Sequence, residues 1–209
     1  MFEDKGVKVL DFPKNRGKAL TYNDLIKLAN NDIIVSTDAD SKFDKNFIEH
    51  IIAPFANPNI GCVVGNLIFR FNKEKEISSS EKTFHNNWDI KLKEYESNLG
   101  ILANGTGAAM AIRKNLFIPL MPVDDMDTRT VIDICLKNYK VIFSKYAIAY
   151  DIPPHTYRNI LKARIRGTSK TIKSIMHGNC IRTWFKHPLI IWSILSHRIL
   201  RYLTPCFLL

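Results

Sequence analysis

Short apolar runs separated by polar turns fill most of the first 150 residues. A β-branched run at 33–37 predicts a buried strand, and apolar residues three or four apart predict helices at 20–29 and 44–55. Further strands are predicted at 7–10, 61–65, 67–71 and 140–144, and further helices at 78–97 and 131–136. This alternation is typical of an α/β fold, and we expect the first two strands to be parallel across a right-handed helical connection.

The pattern changes from residue 183 onwards. Residues 188–196 carry no Lys, Arg, Asp or Glu, and Trp184, Trp192 and Tyr202 lie among Lys and Arg side chains. No apolar run reaches the roughly 18 to 20 residues that a membrane-spanning helix needs. Aromatic and basic side chains beside an apolar run predict a helix that lies in the membrane interface.

The net charge of +10 is concentrated near the C-terminus, since residues 158–201 contain ten Lys and Arg and no Asp or Glu. Such a segment binds phosphates, anionic lipid head groups or nucleic acid, and composition does not choose among them. The four cysteines, Cys62, Cys135, Cys180 and Cys206, are far apart in sequence. This spacing argues against a zinc site or a disulfide framework and favours a reducing cytoplasmic location.

Two aspartates directly follow the predicted strand at 33–37. Asp38 and Asp40 are spaced i, i+2, so both side chains point to the same side of an extended chain. Two carboxylates can hold one Mg²⁺ or Mn²⁺ and leave positions for water and substrate phosphates. The motif therefore indicates an enzyme that acts on a phosphorylated or nucleotide-activated substrate.

Two other interpretations of these patterns remain open. In a haloacid-dehalogenase-like phosphatase, Asp38 would be the nucleophile and Asp124 with Asp125 would hold magnesium. In a non-enzymatic module, the basic segment at 158–201 would bind nucleic acid or anionic membranes with a steep dependence on salt.

Several short motifs follow one another along the chain in a fixed order. They are Asn-Arg-Gly-Lys-Ala at 15–19 with Asn23, Asp-Ala-Asp-Ser at 38–41, the glycine-containing stretch 105–117, Asp-Asp-Met-Asp at 124–127, the stretch 138–151, the basic stretch 162–167 and the stretch 196–205. Together they resemble the signature motifs of family 2 glycosyltransferases over nearly the whole chain. Each motif alone is weak, and the shared order makes the resemblance specific.

The resemblance implies a membrane-associated enzyme with a GT-A (Rossmann-like) fold, a mixed sheet flanked by helices. Such enzymes move a sugar from a nucleotide-sugar donor to a hydroxyl of a glycan or lipid-linked acceptor, with inversion and a divalent cation. We therefore expect a role in polysaccharide or cell-envelope glycan synthesis at the cytoplasmic face of the plasma membrane. No nucleic acid partner is expected.

The same resemblance implies roles for individual residues. Asp40 with Asp38 would hold the cation, and Asp125 or Asp127, in an acidic motif that begins at Asp124, would be the general base. The substrate-binding residues would include Asp38 of the D-x-D motif, and Lys18 with Asn23 along the nucleotide. They would also include Gly105 and Gly107 of the acceptor segment, and Arg164 at the diphosphate. The local pattern favours Asp125 as the base, whereas counting back from Asn138 favours Asp127.

The chain also departs from the family pattern. Leu161 and Ile165 replace the Gln and Trp of the Q-x-x-R-W motif, which puts processive synthesis in question. The first strand of the family and its D-G-S-x-D strand end have no counterpart. We therefore expect residues 1–155 to be a partial catalytic domain that lacks the first strands of the nucleotide-binding half, with an exposed sheet edge and little activity alone. Residues 156–182 would be a basic segment, and residues 183–209 an interfacial helix and the start of a truncated membrane segment.

Overall fold

A mixed β-sheet forms the centre of the computed structural model, which describes residues 7–69, 79–151, 157–177 and 187–196. Its strands are β1 (Ile33–Ser36), β2 (Lys42–Phe43), β3 (Ile60–Phe69), β4 (Met110–Arg113) and β5 (Lys140–Asp151). Within these residues the strand order is β1-β4-β3-β5-β2, and β3 and β5 are parallel while the other pairs are antiparallel. The predicted α/β class with a mixed sheet is confirmed.

Helices cover both faces of this sheet. They are α1 (Lys18–Leu28), α2 (Phe47–Ile52), α3 (Ser79–Asn98), α4 (Met126–Leu136), α5 (Tyr157–His177) and α6 (Pro188–Ile194). On one face, residues of α1 and α4 such as Ile26 and Ile134 pack with Met110 of β4. On the other face, Phe47 and Ile51 of α2 pack with small and β-branched residues of β3, β4 and β5. The result is a three-layer arrangement with α1 and α4 on the same side.

The first predicted strand and its parallel crossover are wrong. Residues 7–10 are not in a strand, and Val7 and Val9 are about half exposed. Strand β1 pairs with β4 alone among the described residues, and the pairing is antiparallel, so β1 lies at one edge of the sheet. An extended segment becomes a strand only when a neighbour supplies its hydrogen-bond ladder, and no described residue does so for 7–10. Among the described strands, β1 and β2 are thus the two edges of the sheet.

Other predicted elements differ in extent. The strands expected at 61–65 and 67–71 form the single strand β3, and the helix expected at 44–55 is the shorter α2 followed by a 3₁₀ turn at Ala53–Ala56. Residues 70–71, Trp184 and Tyr202 lie outside the described residues, as do most of the motif at 196–205 and the expected membrane segment.

Helix α6 packs against the domain through one side. Its Ile194 contacts Ile132 and Ile175 in a buried cluster, and the Ser193 hydroxyl donates a hydrogen bond of 3.1 Å to buried Glu96 Oε1. The opposite side exposes Trp192, at 64% of its surface. Among the helices that the structure describes, none is both long enough and apolar enough to pass through a bilayer.

Candidate active site

The Asn-x-Gly-Lys motif forms the start of helix α1. Gly17 precedes the helix with φ +82°, a conformation that side-chain-bearing residues rarely adopt, and its N–H donates a hydrogen bond of 2.9 Å to Asn15 Oδ1. This turn places Lys18 as the first residue of α1. Lys18 Nζ then reaches Asp38 Oδ1 at 2.6 Å, in the loop that follows β1. Two motifs that are 20 residues apart are thus joined by an ion pair.

The two aspartates of the D-x-D motif lie in a turn after β1, so the expectation that they sit on an extended chain is wrong. Asp38 is partly exposed and Asp40 is exposed, and the Ser41 N–H closes the turn on the Asp38 carbonyl oxygen at 3.2 Å. In the described part of the chain, no group of three or more His, Cys, Asp or Glu side chains could hold a metal ion. Two hard carboxylate ligands on an open turn nevertheless suit Mg²⁺ or Mn²⁺, because such ions are completed by water and substrate phosphates.

The glycine-containing stretch lies against the first turn of α4. A Cβ on Gly105 would overlap the backbone carbonyl oxygen of Asp127, and a Cβ on Gly107 would overlap the Asp127 carboxylate. The Gly107 backbone N–H donates a hydrogen bond to this carboxylate. Both glycines are therefore required by close approach, and they place Asp127 at the site.

Acidic side chains surround one lysine at this point. Partial burial alone would lower the pKa of Lys18, but the hydrogen bond to Asp38 and the charges of Asp127, Asp38 and Asp125 outweigh it and raise the pKa. Burial, and next the charge of Asp125, raise the pKa of the Asp127 carboxyl, against the opposing effects of Lys18 and the Gly107 N–H. A carboxyl whose pKa is raised by its surroundings is typical of a general acid or base.

The neighbouring acidic residues have different surroundings. Asp124 is buried, and its carboxylate accepts hydrogen bonds from the Met121 N–H at 2.7 Å and from the Ser174 hydroxyl at 3.4 Å. The Asp125 carboxylate accepts hydrogen bonds from hydroxyls of α4 and α5, from Thr128 at 2.6 Å and Thr171 at 3.3 Å. Asp127, in contrast, contacts Gly107 of the glycine stretch.

Two further predicted site residues, Asn23 and Arg164, lie on helices α1 and α5. Asn23 is buried on α1, where its Nδ2 donates to the Leu120 carbonyl and its Oδ1 accepts from the Leu120 N–H, each at 2.9 Å. These bonds hold the loop before α4, and a contact of Asn23 with nucleotide stays a prediction. Arg164 lies on α5, but its side chain is outside the described part, so its role also stays a prediction.

The structure thus brings together Lys18, Asp38, Asp125, Asp127, Gly105 and Gly107, with Asp40 on the adjoining turn. Sequence reasoning did not find Thr171 and Ser174, which contact the acidic motif from α5. The available signal was a pair of hydroxyl residues at i, i+3 within the basic segment.

Comparison with known protein families shows which family the chain belongs to. The model of "Glycosyl transferase family 2" matches residues 1–120, more than half of the chain. The chain belongs to glycosyl transferase family 2. Relatives include the poly-β-1,6-N-acetyl-D-glucosamine synthase of Staphylococcus aureus, 25% identical over 162 residues, and that of Staphylococcus epidermidis, 26% identical over 167 residues.

The family member described here spans about 40% of the length of these relatives. The alignments cover 75% of the chain and 39% of the S. aureus protein, and 76% of the chain and 40% of the S. epidermidis protein. Among solved structures, a mannosyltransferase of Pyrobaculum calidifontis in complex with GDP-Man and Mn²⁺ matches with a TM-score of 0.63 and 20% identity, covering 82% of the chain and 47% of that structure. GalNAc-T7 with UDP, GalNAc and Mn²⁺ matches with a TM-score of 0.53 and 15% identity, covering 94% of the chain and 48% of that structure. The predicted GT-A-like fold is confirmed.

Proposed function

We propose that this chain contributes the cation and acceptor side of a glycosyltransferase site, which moves a sugar from a nucleotide-sugar to a hydroxyl of a glycan or lipid-linked acceptor. The observation that supports it best is the convergence of Lys18, Asp38 and Asp127 beside Gly107. These residues come from three separate motifs. The names of the relatives, which are polysaccharide synthases, support a role in polysaccharide synthesis.

The donor diphosphate would bind where α1 meets the loop after β1. Asp38 and Asp40 would hold Mg²⁺ or Mn²⁺, and Lys18 would contribute a positive charge beside the phosphates. A bound divalent cation supplies positive charge that stabilises the leaving diphosphate. The Mn²⁺ bound by the two solved glycosyltransferases supports this choice of ion.

Asp127 would act as the general base. Its carboxylate would accept the proton of the acceptor hydroxyl as the oxygen attacks the anomeric carbon, and the bond to the diphosphate oxygen would break on the opposite face. This order of events inverts the anomeric configuration. The raised pKa of Asp127 brings its basicity closer to that needed to take a proton near neutral pH.

The phosphatase interpretation is not favoured. It needs Asp124 and Asp125 at a metal, whereas their carboxylates accept hydrogen bonds from the loop and from hydroxyls of α4 and α5. The non-enzymatic interpretation does not account for the acidic residues that converge around Lys18.

We further propose that helices α5 and α6 rest on a membrane surface, at its cytoplasmic face. Leu161, Ile165 and Ile172 are exposed at spacings that place them on one side of α5, and Lys162, Arg166 and Lys173 are exposed beside them. Apolar side chains flanked by basic ones are typical of helices that bind anionic lipid surfaces. The exposed Trp192 of α6 adds an interfacial aromatic residue.

Calorimetric titration with UDP and with GDP tests the donor site. We expect one of them to bind in the presence of Mn²⁺, and binding to be lost with EDTA and in Asp40→Ala. Asp32→Ala is the matched control, because Asp32 is an exposed aspartate at the opposite end of β1. Binding that needs no metal, or that survives in Asp40→Ala as well as in Asp32→Ala, would show that the proposed donor site is wrong.

A further inference from the structure

Helix α5 holds the turn that precedes α4 through a buried serine. The Ser174 hydroxyl oxygen accepts a hydrogen bond of 2.8 Å from the backbone N–H of Asp125, and the same hydroxyl lies 3.4 Å from Asp124 Oδ1 as a donor. Ser174 has no exposed surface. A buried hydroxyl is costly unless it is hydrogen-bonded, so these contacts account for a polar residue at this position.

A second hydroxyl of α5 contacts the same turn one helical turn earlier. Thr171 is also buried, and its hydroxyl lies 3.3 Å from Asp125 Oδ2. Asp125 is the N-cap residue directly before α4, and its carbonyl oxygen accepts a hydrogen bond of 2.8 Å from the backbone N–H of Arg129. Three groups of the sequence Asp124–Asp125 are thus bound to α5: two carboxylates and one backbone N–H.

This attachment lies next to Asp127 in the sequence. Asp127 is two residues beyond Asp125, in the first turn of α4, and its carboxylate accepts a hydrogen bond from the Gly107 N–H. Because the first turn is rigid, a tilt of its start would carry the carboxylate away from Gly107. We propose that Thr171 and Ser174 are positioning residues, which hold the start of α4 so that Asp127 stays against the glycine stretch. That Asp127 is the base rests on the proposed function, but its positioning does not.

Amide hydrogen exchange of the free chain tests the proposal without any nucleotide. In Ser174→Ala we expect the Asp125 amide to exchange about tenfold faster, because its hydrogen-bond acceptor is lost. The Gly107 amide should also exchange several-fold faster, because its acceptor is the Asp127 carboxylate. The Leu120 amide, which is bonded to Asn23 Oδ1, should be unchanged. Ser169→Ala, on the exposed side of the same helix, is the control and should change none of these amides.

The Gly107 amide separates positioning from a purely local role. If Ser174→Ala speeds exchange at Asp125 and leaves Gly107 as in the wild type, Ser174 only caps the turn and the proposal is wrong. Equal acceleration at Asp125, Gly107 and Leu120 would indicate general loosening and would also overturn it, as would no change at any of them.

Thr171 supplies a matched pair of variants. Thr171→Val keeps the shape but removes the hydroxyl, whereas Thr171→Ser keeps the hydroxyl. We expect faster exchange of the Gly107 amide in Thr171→Val and exchange near the wild-type rate in Thr171→Ser. Equal rates in the two variants would remove Thr171 from the proposal. A failure of UDP or GDP to bind would overturn the proposed function and leave these exchange results unaffected.

Discussion

Gly105→Ala tests the packing that places Asp127. The added Cβ would overlap the Asp127 carbonyl oxygen and approach Cγ2 of Val131. The carbonyl belongs to the backbone of α4, so relief requires the glycine stretch or the whole helix to shift. Overpacking of this kind costs about 1–3 kcal/mol. For a chain of this size each kcal/mol lowers Tm by roughly 2–4 °C, so we expect a decrease of about 2–12 °C.

The assay is thermal unfolding at pH 7, measured by scanning calorimetry. Gly167→Ala is the matched control, because Gly167 lies on α5 with a helical φ and no neighbouring atom within 4 Å of an added Cβ. Alanine is the better helix former by about 1 kcal/mol, so the control should keep or raise Tm. A Tm for Gly105→Ala equal to or above that of the wild type would show that the glycine stretch does not lie against α4.

Three further predictions concern charge and surface. Because burial and the charge of Asp125 raise the pKa of Asp127, the folded state binds its proton more tightly than the unfolded state, and stability falls as pH rises from the ordinary value of 3.8 through the raised pKa. In urea unfolding, Asp127→Asn should therefore have a higher free energy of unfolding than the wild type at pH 7 and should lose this advantage below about pH 3.8. A difference in unfolding free energy that does not change with pH would refute this dependence. Lys18→Met should weaken Mn²⁺-dependent binding of UDP or GDP in calorimetry, because it removes the cation beside Asp38, and unchanged affinity would exclude Lys18 from the donor site. Trp192→Ser should leave Tm unchanged, because the side chain is largely exposed, and reduce cosedimentation with phosphatidylglycerol vesicles; equal cosedimentation would exclude α6 from the membrane contact.

The features that the sequence predicted well depend on neighbouring residues. The run at 33–37 contains the strand β1 (Ile33–Ser36) because its β-branched residues suit one, whereas the aspartates after it lie in a turn and not in the extended chain that was expected. The Asn-x-Gly-Lys motif is likewise local, since Asn15 bonds Gly17 and the positive φ of Gly17 leads into α1. Patterns of this kind can be recognised without knowing the rest of the fold.

The features that were missed depend on distant residues. Strand β1 lies at an edge and pairs antiparallel with β4, which is more than 70 residues away in sequence, and no local pattern specifies that partner. The different surroundings of Asp125 and Asp127 also could not be predicted from their spacing. They depend on hydroxyls of α5 that bind Asp125 and on Gly107, which contacts Asp127 from a different segment.

The most direct test of the central claim is a crystal structure of this chain grown with Mn²⁺ and whichever of UDP or GDP binds more tightly. We expect Mn²⁺ bound by Asp38 and Asp40, the diphosphate beside Lys18, and the Asp127 carboxylate open to the space where the acceptor hydroxyl would lie. A nucleotide bound elsewhere, or an ion that neither Asp38 nor Asp40 contacts, would contradict the claim.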